Sequence, residues 1–246
     1  MTYCVGMMLE DGLVLVSDTR TNSGVDNVST FRKMFSWHVP GDRIITVMTA
    51  GNLATTQAVV SQLEERAKAP AERHPSILEA PTMFQVARIV GQAIRDTIAE
   101  SSGQQGDQGT FGASIILAGQ IKGIPPRLFM VYPEGNFIEA SPETPFFQIG
   151  ETKYGRPIVV RAYRPDMTLE EALRLILVSF DSTLRANLSV GLPLDIQVIP
   201  KDALRATHDR RIEESDKYFR ELSTNWGTSL RAALAALPPY PESVSD

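Results

Sequence analysis

Thr2 is the second residue of the chain, a position at which a threonine can become an N-terminal nucleophile. If Met1 is removed, Thr2 carries a hydroxyl nucleophile and a free α-amine on the same residue. A threonine hydroxyl is a poor nucleophile until a base takes its proton, and an α-amine with a pKa near ~8 can take it at neutral pH. A threonine at position two is common, however, and by itself indicates only that Met1 is removed. The other parts of a site are therefore needed.

Three further residues could supply those parts. The ammonium group of Lys33 would disfavour protonation of a nearby amine and stabilise developing negative charge, and the carboxylate of Asp18 would keep that lysine charged and oriented. Gly51 lies where a strand gives way to a helix, and a backbone N–H at a helix N-terminus can bind an oxyanion, which is typically worth ~3 kcal/mol. Taken alone, Lys33 is more commonly a strand-end lysine that reaches solvent.

The first hairpin should bring Asp18 to Thr2. Residues 2–9 and 13–18 are two apolar runs, and Glu10-Asp11-Gly12 between them is a strong hairpin signal. The far end of the second strand returns to the start of the first, which predicts Asp18 within a few residues of Thr2. Residues 19–30 are polar and are predicted to form a loop. The alternating run 33–39 predicts a strand with Lys33 on its more apolar face.

The remaining elements predict an α+β fold. Apolar stripes predict helices over about 54–67, 81–100 and 219–237, and a capping box from Thr168 to Glu171 predicts another helix that ends near Leu184. Further strands are predicted at 44–48, 113–118, 128–132, 146–149, 195–199 and near 207–212. Because several neighbouring strands are apolar on both faces, helices must cover two sides of the sheets, which predicts a four-layer αββα sandwich. The strands come in hairpins, which disfavours an open parallel nucleotide-binding sheet.

No linker or internal repeat interrupts the 246 residues, so we expect one domain over 1–246, with 238–246 as a flexible tail. The tract 101–109 is rich in Gly and Gln and is predicted to be a connector.

Composition excludes several classes of protein. The net charge of −5 and the pI near 5.3 argue against a nucleic-acid-binding protein, which would need a basic stripe. Cys4 is the only cysteine, so no disulfide can form within the chain. The sequence has neither a signal peptide nor an apolar run of ~20 residues, and we expect a cytoplasmic protein that does not bind membranes. His38, His74 and His208 lack metal-ligand spacing, so we expect no metal and no cofactor.

Four segments of the chain resemble the proteasome β-subunit family of the N-terminal nucleophile hydrolases, in particular the bacterial group called the ancestral β-subunit (Anbu). These segments are Thr2-Tyr3-Cys4-Val5-Gly6, Val16-Ser17-Asp18-Thr19-Arg20, Phe31-Arg32-Lys33 and Ala50-Gly51. The resemblance covers essentially the whole chain and implies an αββα sandwich. It also implies the roles of nucleophile for Thr2, lysine partner for Asp18, catalytic lysine for Lys33 and oxyanion donor for Gly51.

Two segments depart from the family pattern. The family usually has Gly-Ser-Gly, with the serine near the threonine amine, where this chain has Gly150-Glu151-Thr152. The family usually has an aspartate three residues before a serine, where this chain has Ala186 before Ser189, with Asn187 beside it. The resemblance implies a role for Ser189 near the Thr2 amine, while the supporting aspartate is missing or displaced.

Three hypotheses about function follow. The first is a threonine peptidase that acts through an acyl-enzyme on peptides or unfolded proteins, in a ring-like or helical homo-oligomer, with an unfoldase or adaptor left open as a partner. The second is a structural or assembly subunit with little activity, which the two departures motivate. The third is a narrow-specificity amidase with the same nucleophile.

Overall fold

The computed structural model describes residues 1–22, 28–68, 75–102 and 111–240. The chain divides into two compact units, Met1–Glu214 and Ser215–Asp246, and each is described by itself. The prediction of one domain over 1–246 stays a prediction.

The first unit contains the following strands and helices in its described residues. Its strands are β1 (Tyr3–Leu9), β2 (Gly12–Asp18), β3 (Arg20–Asn22), β4 (Val28–Thr30), β5 (Met34–Val39), β6 (Arg43–Gly51), β7 (Ala113–Ile121), β8 (Arg127–Val131), β9 (Phe137–Glu139), β10 (Phe146–Gly150), β11 (Leu194–Pro200) and β12 (His208–Ile212). Its helices are α1 (Leu53–Lys68), α2 (Met83–Ser102), α3 (Arg156–Ala162) and α4 (Leu169–Ala186).

Two five-stranded antiparallel sheets form the centre of this unit. The first has the order β10-β1-β2-β11-β12 and the second the order β5-β6-β7-β8-β9. Helices α1 and α2 cover the second sheet, and α4 covers β1 and β2 of the first. The two sheets face each other across a core to which Cys4 and Leu15 contribute from one side and Met48 and Ile116 from the other. The predicted α+β fold, a four-layer αββα sandwich, is confirmed.

Short sequence motifs predicted two elements of the first unit, the hairpin of β1 with β2 and the start of α4. The predicted hairpin is confirmed, because β1 and β2 pair from Cys4 opposite Ser17 to Leu9 opposite Gly12. The capping box of α4 is confirmed as well: the Thr168 side chain accepts a hydrogen bond from Glu171 N–H, and the Glu171 side chain accepts one from Thr168 N–H.

Two expectations about local structure were wrong. Residues 19–30 are not all loop, because Arg20–Asn22 and Val28–Thr30 pair as a small antiparallel ladder. The sequence pattern also missed α3, which spans seven residues and has a proline in its first turn. Both are short elements whose apolar pattern is too brief to show a period, so the tertiary structure decides them. The predicted connector at 101–109 lies mostly outside the described residues.

The second unit contains α5 (Lys217–Ala235), which begins at Asp216, whose side chain accepts a hydrogen bond from Phe219 N–H at 2.9 Å. Tyr240 is 92% exposed. Residues 241–246, which make up most of the predicted flexible tail, lie outside the described residues. Across the described part of the chain, we find no helix whose length and apolar character would let it cross a bilayer.

Gly6 allows the two sheets to approach closely, and this generates a stability prediction. A Cβ at this position would lie 3.0 Å from side-chain carbons of both Ile116 and Leu128, in the core between the sheets. We expect Gly6→Val to lower the free energy of unfolding by about 1–3 kcal/mol through overpacking, as measured by denaturant unfolding.

A matched control is Gly227→Ala in α5, where a Cβ would meet nothing nearer than the Arg231 side chain at 3.7 Å. Because alanine favours a helix over glycine, this change should be neutral or stabilise by up to ~1 kcal/mol. Equal effects of the two substitutions would contradict the close approach at Gly6.

Candidate active site

Thr2 lies directly before β1, where this strand meets the end of β10. Its carbonyl oxygen accepts a hydrogen bond from Glu151 N–H at 2.6 Å. Gly150 has a φ of 83°, and a Cβ there would lie 2.0 Å from the Thr2 carbonyl oxygen, so only glycine permits this approach. Thr2 is half-buried, whereas Met1 before it is 59% exposed. The start of β1 is thus held in place while the residue ahead of it remains accessible.

A buried ion pair joins Asp18 to Lys33. Lys33 Nζ donates to Asp18 Oδ1 at 2.7 Å, to the Arg20 carbonyl oxygen at 2.7 Å and to the Met1 carbonyl oxygen at 3.3 Å. Tyr3 N–H donates to the same Asp18 oxygen at 3.0 Å. Lys33 is 4% exposed and Asp18 is fully buried, so the interpretation of Lys33 as a strand-end lysine that reaches solvent was wrong. The hairpin places Asp18 beside Tyr3, as predicted.

Burial and charge act in opposite directions on the groups around Thr2. Burial raises the pKa of Asp18, while the Lys33 ammonium and the hydrogen bonds that the carboxylate accepts oppose this rise. The terminal amine, which here belongs to Met1, has its pKa lowered by partial burial and then by Lys33, while Asp18 and Glu151 act to raise it. A free amine at this end of the chain is therefore pushed toward its neutral form by its surroundings.

A cavity of about 560 Å³ opens beside Thr2. It lies between the start of the chain, the end of β6 and the first turns of α1. Its lining residues are Met1, Thr2, Thr21, Arg32, Lys33, Phe35, Thr49, Ala50, Gly51, Leu53, Thr56, Gln57 and Gly150. Three of the predicted site residues thus share one cavity, and Asp18 is bonded to one of them from behind.

Gly51 is the last residue of β6 and lies two residues before α1. Its φ is 115°, and a Cβ at this position would lie 2.3 Å from the Gly112 carbonyl oxygen. Only glycine fits this close pairing of β6 with the start of β7. Asn52 then starts the helix, because its side-chain oxygen accepts a hydrogen bond from Thr55 N–H at 3.1 Å. The cavity therefore borders a helix N-terminus, where a developing negative charge is favoured.

The segment that follows Asp18 holds the loop after α4. The Thr19 hydroxyl donates to the Pro193 carbonyl oxygen at 2.8 Å, and the Arg20 guanidinium donates to the Leu188 carbonyl oxygen at 3.1 Å. A Cβ on Gly191 would lie 2.2 Å from the guanidinium carbon of Arg20, so glycine leaves the space that this side chain fills. The sequence analysis gave these contacts no role, and nothing in local spacing could have indicated them.

Ser189 is half-buried and, among the described residues, is not one of those that line the cavity. Its N–H donates to Asn187 Oδ1 at 2.9 Å, and Asn187 Nδ2 donates to Glu151 Oε2 at 3.1 Å. Ser189 is thus connected to Thr2 through the two segments that depart from the family pattern, and its predicted role near the amine stays a prediction. In the sequence, Asn187 is recognisable only as a neighbour of Ala186.

His38 and His208 are exposed and do not line the cavity, and His74 lies outside the described residues. Within the described ranges, we find no group of three or more His, Cys, Asp or Glu side chains that could hold a metal ion.

The buried pair generates a second stability prediction. Removing one partner leaves a buried charge without compensation, so Asp18→Asn and Lys33→Met should each lower the free energy of unfolding by about 3–5 kcal/mol. The double variant should lose much less than the sum of the two, because no charge then remains buried. Denaturant unfolding of the four proteins measures this coupling.

The partly exposed pair Arg127–Glu139 is the control, and Glu139→Gln should cost at most ~1 kcal/mol. Additive losses at Asp18 and Lys33 would show that the two charges do not depend on each other.

Comparison with known proteins identifies the family. The proteasome subunit family model matches residues 2–199. Anbu (ancestral β-subunit) from Yersinia bercovieri superimposes with a TM-score of 0.92 and 44% identity, and covers 98% of this chain and 99% of that one. The helical assembly of the Anbu complex from Pseudomonas aeruginosa gives a TM-score of 0.92, 44% identity and coverage of 99% and 100%.

More distant relatives include both kinds of proteasome subunit. The proteasome subunit alpha of Methanopyrus kandleri is 28% identical over 215 residues, which are 87% of this chain and 80% of that protein. A proteasome subunit beta 2 from Pyrobaculum calidifontis is 26% identical over 206 residues, 82% of this chain and 90% of that protein. The chain belongs to the proteasome subunit family.

Proposed function

We propose that this chain is a threonine-type N-terminal nucleophile hydrolase that cleaves amide bonds once Met1 has been removed. The observation that carries the proposal is the position of the Lys33 ammonium. Its Nζ lies 3.3 Å from the carbonyl oxygen of Met1, beside the peptide bond whose cleavage would expose the Thr2 amine. The exposure of Met1 supports its removal by an aminopeptidase.

The first half of the reaction forms an acyl-enzyme. The free α-amine of Thr2 takes the proton of the Thr2 hydroxyl as its oxygen attacks the carbonyl carbon of the substrate. The negative charge that develops on the carbonyl oxygen is stabilised by the backbone N–H of Gly51 at the start of α1. The C–N bond then breaks, the Thr2 ammonium returns its proton to the leaving amine, and the acyl group remains as an ester on Thr2.

The second half repeats the same proton transfers with water as the nucleophile. Water attacks the ester, the Thr2 amine takes its proton, and the carboxylic acid product leaves as the hydroxyl of Thr2 is restored. Lys33 supports both halves, because its positive charge favours a neutral Thr2 amine. Asp18 and the Arg20 carbonyl oxygen fix the position of the Lys33 ammonium.

The proposed partners follow from the relatives and the cavity. The structure from P. aeruginosa is described as a helical assembly, which supports a homo-oligomer for this chain too. A cavity of about 560 Å³ is large enough for one side chain or a small amide, so peptides and small amides are both candidate substrates. An unfolded-protein substrate, an unfoldase or adaptor partner and a cytoplasmic location stay predictions.

Two alternatives make different use of the same fold. As an assembly subunit, the chain would keep its oligomer and its cellular phenotype after Thr2→Ala. As a narrow-specificity amidase, it would cleave small amides well and generic peptides poorly. The departures at Glu151 and Ala186 are the observations that motivate the first of these alternatives.

The central prediction concerns Thr2. Mass spectrometry should show that the purified chain begins at Thr2 and that a covalent probe for N-terminal threonine labels this residue. Thr2→Ala should lower kcat/KM by at least about 10³-fold on a panel of peptide and small-amide substrates, since it removes the nucleophile. Chromatography should show that the variant assembles normally.

The matched control is Thr144→Ala, which removes an exposed threonine that does not line the cavity and should leave the rate unchanged. Thr2→Ser, which keeps a hydroxyl, should retain part of the activity. Retention of Met1 on all chains, or equal rates for Thr2→Ala and the unchanged protein, would exclude the proposed function.

The charge of the cavity generates a prediction about substrate preference. Lys33 is neutralised by Asp18, whereas the exposed Arg32 has no ion-pair partner among the described residues. Substrates with an acidic side chain at the cavity should therefore react up to about fivefold faster than otherwise identical basic ones, as expected for an exposed charge pair of up to ~1 kcal/mol.

Arg32→Glu should reverse this preference in kcat/KM, because it changes the sign of the charge at the cavity. Lys122→Glu makes the same change of charge at an exposed residue that does not line the cavity, and it should leave the ratio unchanged. An identical effect of both substitutions would assign the preference to overall charge.

A further inference from the structure

Glu151 is held beside Thr2 by its own backbone. Its N–H donates to the Thr2 carbonyl oxygen at 2.6 Å, which is among the shorter hydrogen bonds of the site. Gly150 makes this contact possible, because any Cβ there would collide with the Thr2 carbonyl. The side chain of Glu151 is half-buried, so its carboxylate is only partly solvated.

The side chain of Asn187 forms a hydrogen bond with the Glu151 carboxylate. Its Nδ2 donates to Glu151 Oε2 at 3.1 Å, across 36 positions of sequence. Its Oδ1 accepts from Ser189 N–H at 2.9 Å, which fixes the orientation of the amide. Asn187 is the C-cap residue of α4, and its own N–H donates to the Thr183 carbonyl oxygen. The backbone of Asn187 is therefore held at the end of α4, and its side-chain amide has two hydrogen-bond partners.

The charges that face the terminal amine are those of Lys33, Asp18 and Glu151. Lys33 and Asp18 form a 2.7 Å ion pair, so each offsets part of the effect of the other on the amine. Glu151 is paired with a neutral amide, so its negative charge is not compensated by that partner. Glu151 thus adds a negative charge near the start of the chain that this partner does not offset.

We propose that Glu151, oriented by Asn187, is the positioning residue for the free α-amine of Thr2. Its carboxylate attracts the protonated amine, holds it at the site and sets the pH above which the amine becomes a neutral base. The inference rests on the proposed function in one respect: it assumes that Thr2 becomes the first residue.

Removal of Met1 transfers the chain terminus to Thr2, the residue that Glu151 N–H binds. In this structure the amine belongs to Met1, and Glu151 already acts to raise its pKa against burial and Lys33. Without Met1, the first nitrogen moves back by about one residue, or ~3.8 Å, to the residue whose carbonyl Glu151 binds.

The two segments that depart from the family pattern are in contact with each other. A carboxylate stands where the family has a serine, and an amide stands beside the position where it has an aspartate. Relative to that pattern, a carboxylate is present at position 151 and absent at position 186, and the Glu151–Asn187 hydrogen bond joins the two segments. With a carboxylate at the amine, activity should rise at a higher pH than it would with a neutral group there.

The experiment measures the amine itself. The protein is produced behind a leader that a protease removes to leave Thr2 first, so the measurement does not depend on natural processing. The rate at which an amine-selective reagent labels Thr2 is followed against pH by mass spectrometry of the N-terminal peptide. Glu151→Gln keeps an acceptor for Asn187 and should move the labelling midpoint down by about 0.5–1 pH unit.

Asn187→Ala keeps the Glu151 charge but removes the hydrogen bond that orients its carboxylate, so it should move the labelling midpoint in the same direction by a smaller amount. Glu10→Gln is the control, because Glu10 is exposed in the turn between β1 and β2, away from Thr2, and no shift is expected. An unchanged midpoint in Glu151→Gln, with an unchanged melting temperature, would overturn the inference.

Labelling and hydrolysis separate this inference from the proposed function. If the midpoint shifts but no substrate is cleaved, Glu151 positions the amine and the hydrolase proposal fails. If Thr2-dependent hydrolysis is observed and neither its pH profile nor the labelling midpoint moves in Glu151→Gln, the hydrolase proposal stands and the role of Glu151 is wrong.

Discussion

The ion pair between Asp18 and Lys33 is the constraint on which the candidate site depends. Two opposite charges that are almost fully buried are tolerated only when each is surrounded by groups that compensate it. Tyr3 N–H supplies that compensation for Asp18 Oδ1 and the carbonyl oxygens of Met1 and Arg20 supply it for Lys33, whereas Asp18 Oδ2 is buried without a hydrogen-bond partner among the described residues. Because these groups come from the start of β1 and from the segment after β2, the pair holds the first residues of the chain against the end of the first hairpin.

Close backbone approaches complete the site around this pair. Gly150 lets Glu151 reach the Thr2 carbonyl, and Gly51 lets the end of β6 approach the start of β7 ahead of α1. A side chain at either position would separate strands that must touch, and the cavity between Thr2 and α1 would change shape. The fold thus brings a hydroxyl, an ammonium and a helix N-terminus to one cavity, which is the arrangement that the proposed acyl transfer needs.

Opposing charges surround the start of the chain at Thr2. Lys33 favours a neutral amine, Glu151 favours a charged one, and Asp18 determines how much of the lysine charge the amine experiences. A fold shared with both alpha and beta subunits of proteasomes does not by itself decide whether a chain is active. In the proposed mechanism, the groups next to the amine decide it, and in this chain we propose that they include the pair of Glu151 and Asn187.

The sequence by itself determined the parts of the site that depend on local signals. Asp-Gly at the hairpin turn fixed the return of Asp18 to the start of β1, and the capping box fixed the start of α4, because both act over four residues or fewer. The order of the predicted strands and helices, with several strands apolar on both faces, was enough to predict the αββα layers. The tertiary structure alone decided the burial of Lys33 and the pairing of β3 with β4. It also decided the hydrogen bond from Arg20 to the loop after α4 and the hydrogen bond between Asn187 and Glu151. These features join residues that are distant in sequence, or elements too short to show a period, so no local pattern could carry them.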